Sequence, residues 1–152
     1  MASEQIREFL LAKKARADAS DIDWAARRDE WIRAVDALYD EIERRYLGQD
    51  DLADVVSVDR SRSVLVEEKH AGSYTIGQLR LSVGDEEVFF TPKGMNVVGA
   101  NGRVDVWGDR GESALVWEAD GRWAVVLSRA PRLQKVALND DSFLALLQGV
   151  MR

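Results

Sequence analysis

The chain has 152 residues, of which 46% are hydrophobic and 32% charged, which suits one folded domain with a substantial core and argues against a disordered segment. It contains no cysteine, which excludes a disulfide framework, a thiol nucleophile and any thiolate metal site, and which fits a reducing compartment. The formal net charge is −6, with nine Lys/Arg against twelve Asp/Glu in residues 1–50 and twelve against fifteen in residues 51–152. Charge is therefore mixed along the chain, with no basic stripe for phosphate backbones, and nucleic acid is not an expected partner.

The opening stretch, MASEQIREFLLAKKAR, carries charges on both sides of a short apolar patch, so it predicts no secretory leader. No run of about eighteen apolar residues occurs, so no membrane partner is expected and the predicted location is cytoplasmic. Ile6, Phe9 and Leu10 share a face at helical spacing and predict a first helix over residues 4–17. Ser20 reads as an N-cap, with Asp21 and Asp23 in the first turn of a second helix over residues 21–47. Its apolar seam, Trp24, Trp31, Val35, Leu38 and Ile42, has the spacing of a coiled coil, and Ile32, Tyr39 and Tyr46 widen it. Asp40 with Arg44 and Glu41 with Arg45 are i,i+4 pairs, and Gly48 is the expected C-cap. At 1.5 Å per residue this helix is about 40 Å long, so it should lie along a sheet, on the first helix or on a second copy of the chain.

From Val55 onward the pattern changes to short β-branched and aromatic runs broken by turn residues. They predict strands over 55–60, 63–70, 73–83, 86–92, 95–100, 103–108, 113–119, 122–129 and 132–137. Asn101-Gly102 and Asp120-Gly121 read as two-residue hairpin loops, as do Gly84-Asp85 and Ala71-Gly72. Loops this short make neighbouring strands antiparallel. Asn139, Asp140 or Asp141 then caps a last helix over residues 141–150, with Phe143, Leu144, Leu147 and Val150 on its apolar face. The expected fold is α+β: an N-terminal helical segment of two helices (residues 1–48), then an antiparallel β-meander or small barrel with a C-terminal helix (residues 54–152), the two parts forming one folding unit.

Two-residue loops fix register, and register fixes faces. Asn101-Gly102 pairs Val97 with Val106, and Asp120-Gly121 pairs Trp117 with Ala124, Val116 with Val125 and Leu115 with Val126; a Gly108–Glu112 loop that sets Trp107 opposite Ser113 pairs Val106 with Ala114 and Val104 with Val116. One face would then hold Val97, Val104, Val106, Ala114, Val116, Trp123, Val125 and Leu127. The other would hold Asp105, Trp107, Leu115, Trp117, Ala124 and Val126. An antiparallel sheet with one wet side alternates apolar and polar residues, and these strands do not, so both faces should be covered. Trp24 and Trp31 of the helical segment are the expected cover for the second face. Trp107, Leu115, Trp117 and Val126 are otherwise its candidate binding residues.

The catalytic inventory is small. His70, the one histidine, stands near Glu67, Glu68 and Ser73 without a nucleophile elbow, and reads as an exposed turn residue. The acidic groups Asp18/Asp21/Asp23, Asp50/Asp51/Asp54 and Asp85/Glu86/Glu87 lack the spacing of a calcium loop and read as helix capping, linker and charged turn. Gly108-Asp109-Arg110-Gly111 is a turn, and no glycine pattern forms a phosphate cradle. No catalytic, metal or cofactor residue is assigned. The expected function is a non-enzymatic protein-interaction module, self-associating as a homodimer through its helices. The alternatives are an acidic, immunity- or antitoxin-like protein that neutralises a basic partner, and a barrel that binds a small molecule or does modest catalysis.

Overall fold

A computed structural model of the chain describes residues 2–19, 23–95, 100–128, 131–132 and 134–152, except for the side chains of residues 2, 16–19 and 128. Helix α1 spans Ala2–Ala19. Helix α2 spans Trp24–Glu41 and continues as a π-helical turn over Ile42–Tyr46. The strands are β1 (Ser57–Asp59), β2 (Ser63–Glu68), β3 (Gly72–Gly77), β4 (Leu79–Val83), β5 (Glu86–Gly94), β6 (Gly102–Trp107), β7 (Glu112–Trp117), β8 (Trp123–Ser128) and β9 (Gln134–Ala137), and helix α3 covers Asp140–Val150. The fold is α+β. Seven strands form one antiparallel sheet in the order β1-β4-β5-β6-β7-β8-β9, and β2 and β3 form a separate hairpin. The sheet is a meander that does not close, so of the two predicted forms the barrel is not realised.

Helix α2 begins one turn later than the predicted boundary. Asp23 is its cap, the side chain accepting the Ala26 N–H at 3.0 Å; Ser20 and Asp21 lie outside the described residues. Trp31, Val35, Leu38, Tyr39, Ile42 and Tyr46 are buried along it. The predicted Glu41–Arg45 pair forms at 3.5 Å, whereas Asp40 turns to Arg60 at 2.8 Å, whose guanidinium holds the Asp40 carboxyl below its ordinary pKa. Gly48 does not cap the helix in a left-handed conformation. It is needed because a Cβ there would stand 2.1 Å from the Arg44 carbonyl oxygen.

The predicted single strand over 73–83 is interrupted at Gln78, so β3 belongs to the hairpin and β4 to the sheet. Tyr39 stitches the two together. Its hydroxyl, on α2, donates to the carbonyl oxygens of Gly77 at 2.8 Å and of Phe90 at 3.2 Å. Burial pushes this phenol well above its ordinary pKa. A raised pKa in the folded state means that stability is fully present below the unfolded tyrosine value of about 10 and falls as pH rises beyond it. Alkaline titration of stability should therefore show a loss above about pH 10 that is shallower in Tyr39→Phe, which at neutral pH should itself cost about 1–2 kcal/mol. Equal alkaline slopes in the two proteins would count against this role.

The hairpin loops separate into those read correctly and those read one residue out. Gly84-Asp85 is a two-residue loop, with Val83 opposite Glu86 and Gly84 at φ +61°. The β2–β3 loop is longer than Ala71-Gly72: Glu68 pairs with Gly72, and His70 takes a left-handed conformation at φ +76°. At Asp120-Gly121, Trp117 pairs with Trp123, Val116 with Ala124 and Leu115 with Val125. The Gly121 N–H donates to the Glu118 carbonyl oxygen at 2.9 Å and Gly121 has φ +84°, so the loop is longer than two residues, a turn followed by a left-handed glycine. Between β6 and β7, Val106 pairs with Ser113 and Val104 with Leu115. Asn101-Gly102 is not a hairpin turn, because Gly102 lies within β6 opposite Trp117, and β5 pairs with β6 directly through Phe90 and Val106. Strand 95–100 and the Val97–Val106 pairing fall mainly on residues outside those described.

Each one-residue shift moves a strand's side chains to the other face. The core face carries Leu79, Leu81, Val88, Phe90, Val104, Val106, Leu115 and Val125, all buried. Helix α2 and the hairpin residues Val66, Tyr74 and Ile76 close it, and Phe143, Leu146 and Val150 of α3 join the same cluster. Asn139 caps α3 reciprocally, its side chain accepting the Ser142 N–H at 2.9 Å while its own N–H donates to the Ser142 hydroxyl at 2.8 Å. Leu144, predicted on the apolar face of α3, is exposed, and Leu146 takes its place.

Candidate functional site

The four predicted binding residues do not form one surface. Leu115 faces α2 and is fully buried. Trp117 faces the same way and packs against Trp31, the ring centroids 5.9 Å apart. Trp123 approaches Trp31 at the same distance, so three indoles meet at one end of the core. The predicted cover by Trp31 is thus real for Trp117 but not for Trp107. Pairing of Val104 with Leu115, Trp107 with Glu112 and Leu115 with Val125 puts Trp107 and Val126 on the far face, with Ala114, Val116 and Ala124.

Trp107 remains open. It is 42% exposed and stacks on Phe89, its cross-strand partner, with ring centroids 4.2 Å apart and an interplanar angle of 17°. Phe89 was not singled out from sequence, though a signal existed: Phe89 and Phe90 are consecutive in a strand, so one of them must leave the core face. The pair lies in a cleft of about 560 Å³ lined also by Ser82, Gly84, Asp85, Glu87, Gly108 and Asp109. The predicted acidic turn thus forms one wall. Arg152, distant in sequence, reaches its rim, 3.0 Å from Asp109, 3.2 Å from Asp85 and 3.6 Å from Glu86.

A second polar centre lies beneath the β2–β3 loop. The buried Tyr74 hydroxyl donates a short hydrogen bond to Glu68, which also accepts the Met95 N–H at 2.7 Å. Burial, then the Glu68 hydrogen bond, pushes the Tyr74 phenol upward. A Cβ on Gly94 would stand 2.5 Å from the Glu68 carboxylate, so a glycine is required where the carboxylate crosses β5. His70 is exposed, as its turn position predicts, and its ring stacks on Trp24 at 5.2 Å. Ser73 and Glu67 pair across the hairpin and both are exposed. Asp59 and Arg80 pair at 2.9 Å, and the hydroxyl and N–H of Ser61 hold the Asp59 carboxyl below its ordinary range. Among the described residues no group of three His, Cys, Asp or Glu is placed to hold a metal ion.

The third feature is α1. Ile6 is 60% exposed, Phe9 61%, Leu10 58% and Leu11 51%. Every described side chain of this helix, Ser3 to Ala15, is exposed. Among the described residues no helix is long and apolar enough to cross a membrane. Compared with family models, curated proteins and solved structures, the chain has no match.

Proposed function

We propose that the chain is a protein-interaction module that pairs with a second copy of itself through α1. The supporting observation is the exposure of Ile6, Phe9, Leu10 and Leu11. An isolated helix of this length is marginal in water, and most helical stability comes from packing an apolar face. The sheet's helix-covered face is already taken by α2, the hairpin and α3.

Charge order selects the occupant. Glu4 and Glu8, with Arg7 between them, lie in the N-terminal half of the helix, and Lys13 and Lys14 follow the apolar patch. Two copies laid antiparallel set the acidic half of each helix along the basic half of the other, and a two-fold axis makes the patch self-complementary. The helix is about 27 Å long, which offers less than the ~800 Å² per partner of a standard interface, so association should be concentration-dependent.

Light scattering after size exclusion, at two protein concentrations, tests this. The mass should rise from monomer towards dimer with concentration. The double variant Phe9→Asp/Leu10→Asp should remain monomeric at both, with unchanged thermal unfolding, because neither side chain is part of the core. A strict monomer at the higher concentration would overturn the proposal, and a dimer persisting in the variant would move the interface elsewhere.

A further inference from the structure

In the stacked Phe89–Trp107 pair, on the sheet face opposite α2, Trp107 is exposed and Phe89 half-buried, and the surroundings are acidic rather than neutral. Asp85, Glu87 and Asp109 line the same cleft. The chain as a whole carries a net charge of −6. Within this setting the chain's own Arg152 is drawn to the rim, between Asp85 and Asp109. Its backbone N–H is held too, donating to Glu86 at 2.6 Å.

We propose that the Phe89–Trp107 face docks an arginine-bearing segment of a basic partner protein, with Arg152 as the internal group that segment displaces. A guanidinium is planar, stacks on aromatic faces and offers paired donors to carboxylates, three properties that this cleft addresses together. An ammonium can answer the charge but not the planar stack and fork. Arg152 is displaceable because it is 56% exposed, and solvent-exposed ion pairs are weak and screened. Its position shows where an incoming guanidinium finds carboxylates, while the indole of Trp107 supplies the flat surface beside them. Individual contacts of this kind are weak, so the partner segment must present several arginines. Salt should weaken the complex. This surface is separate from α1, so a chain carrying Phe9→Asp/Leu10→Asp must dock the segment as well as the parent does.

The experiment is fluorescence anisotropy with a labelled Arg-Gly repeat peptide and its Lys-Gly counterpart, at matched charge and ionic strength. The arginine peptide should bind several-fold more tightly than the lysine peptide. Trp107→Ala and Asp109→Asn should each weaken it by about tenfold or less, the scale of one cation–π or charge-assisted contact. Arg152→Ala should tighten it by about threefold, because an internal competitor is removed. Asp109→Asn is a surface change in a turn, so its result stands even if Trp107→Ala perturbs the sheet. Absence of binding, equal binding of both peptides, or indifference to Trp107→Ala and Asp109→Asn together would each overturn the proposal in favour of general charge attraction or none.

Discussion

Trp31→Ala should lower the free energy of unfolding by about 3–5 kcal/mol, the range for removing a buried tryptophan from a packed core. Trp31 is fully buried and is the group on which α2, β6, β7 and β8 converge. A Cβ built on Gly102 would stand 2.2 Å from its ring, so the indole lies directly on the backbone of β6. Gly102→Ala alone should therefore cost about 1–3 kcal/mol by overpacking. The two changes should not add. Once the indole is gone, the methyl group that Gly102→Ala introduces enters vacated space instead of a clash, and the double variant should be more stable than the sum by about 0.5–3 kcal/mol. Urea denaturation of the four proteins closes the cycle. Strict additivity would mean that Gly102 is needed for its backbone conformation and not for the ring above it. The indole Nε1 adds a further point: it is buried without a full hydrogen bond. Trp31→Phe keeps an aromatic ring and gives up only this weakly held donor, and should cost less than Trp31→Ala.

Gly102 also explains how far the fold could be read from sequence. Helices and strands were legible because their periods differ, and the change of period near Val55 is a property of consecutive residues. Gly84-Asp85 was legible because a two-residue loop with a left-handed glycine is the simplest use of that pair. Asp120-Gly121 uses the same kinds of residue in a longer loop, where the glycine takes the left-handed position after a turn. Asn101-Gly102 carries a hairpin signature for an unrelated reason, since its glycine makes room for the ring of Trp31, far earlier in the chain. Local sequence does not distinguish a glycine needed for its own φ from one needed by a distant ring. The loops at Asp120-Gly121 and at Gly108–Glu112 were each read one residue out, which shifted the pairing of β7 with both its neighbours and inverted the face that β7 shows to the core, while β6 and β8 kept theirs. The candidate binding residues inherited that error, so Trp107 and Val126 part from Leu115 and Trp117. The Phe89–Trp107 stack and the reach of Arg152 to Asp85 depend on pairings between remote segments, beyond any local pattern.

The observed register makes its own prediction, because it assigns opposite fates to two residues that alternate along adjacent strands. Leu115→Asp should abolish stable folding or cost well over ~4 kcal/mol, since it places a carboxylate on the fully buried face with no cation to pair it. Val104 and Val125, its two cross-strand neighbours, are apolar and buried and offer no hydrogen bond from their side chains. Trp107→Asp should cost about 1 kcal/mol, the worth of one aromatic stack at a solvated face. Chemical denaturation of both variants gives the comparison directly. In the register expected from a Gly108–Glu112 loop with Trp107 opposite Ser113, these positions share a face and should respond alike. A severe loss at Leu115 with a mild one at Trp107 separates the faces as the strand pairing has them. Two mild losses would mean that the Leu115 face is not the core, and with it would fall the placement of α2 over Val104, Leu115 and Val125. Two severe losses would mean that Trp107 is covered, which removes the open aromatic surface on which docking of an arginine-bearing partner depends.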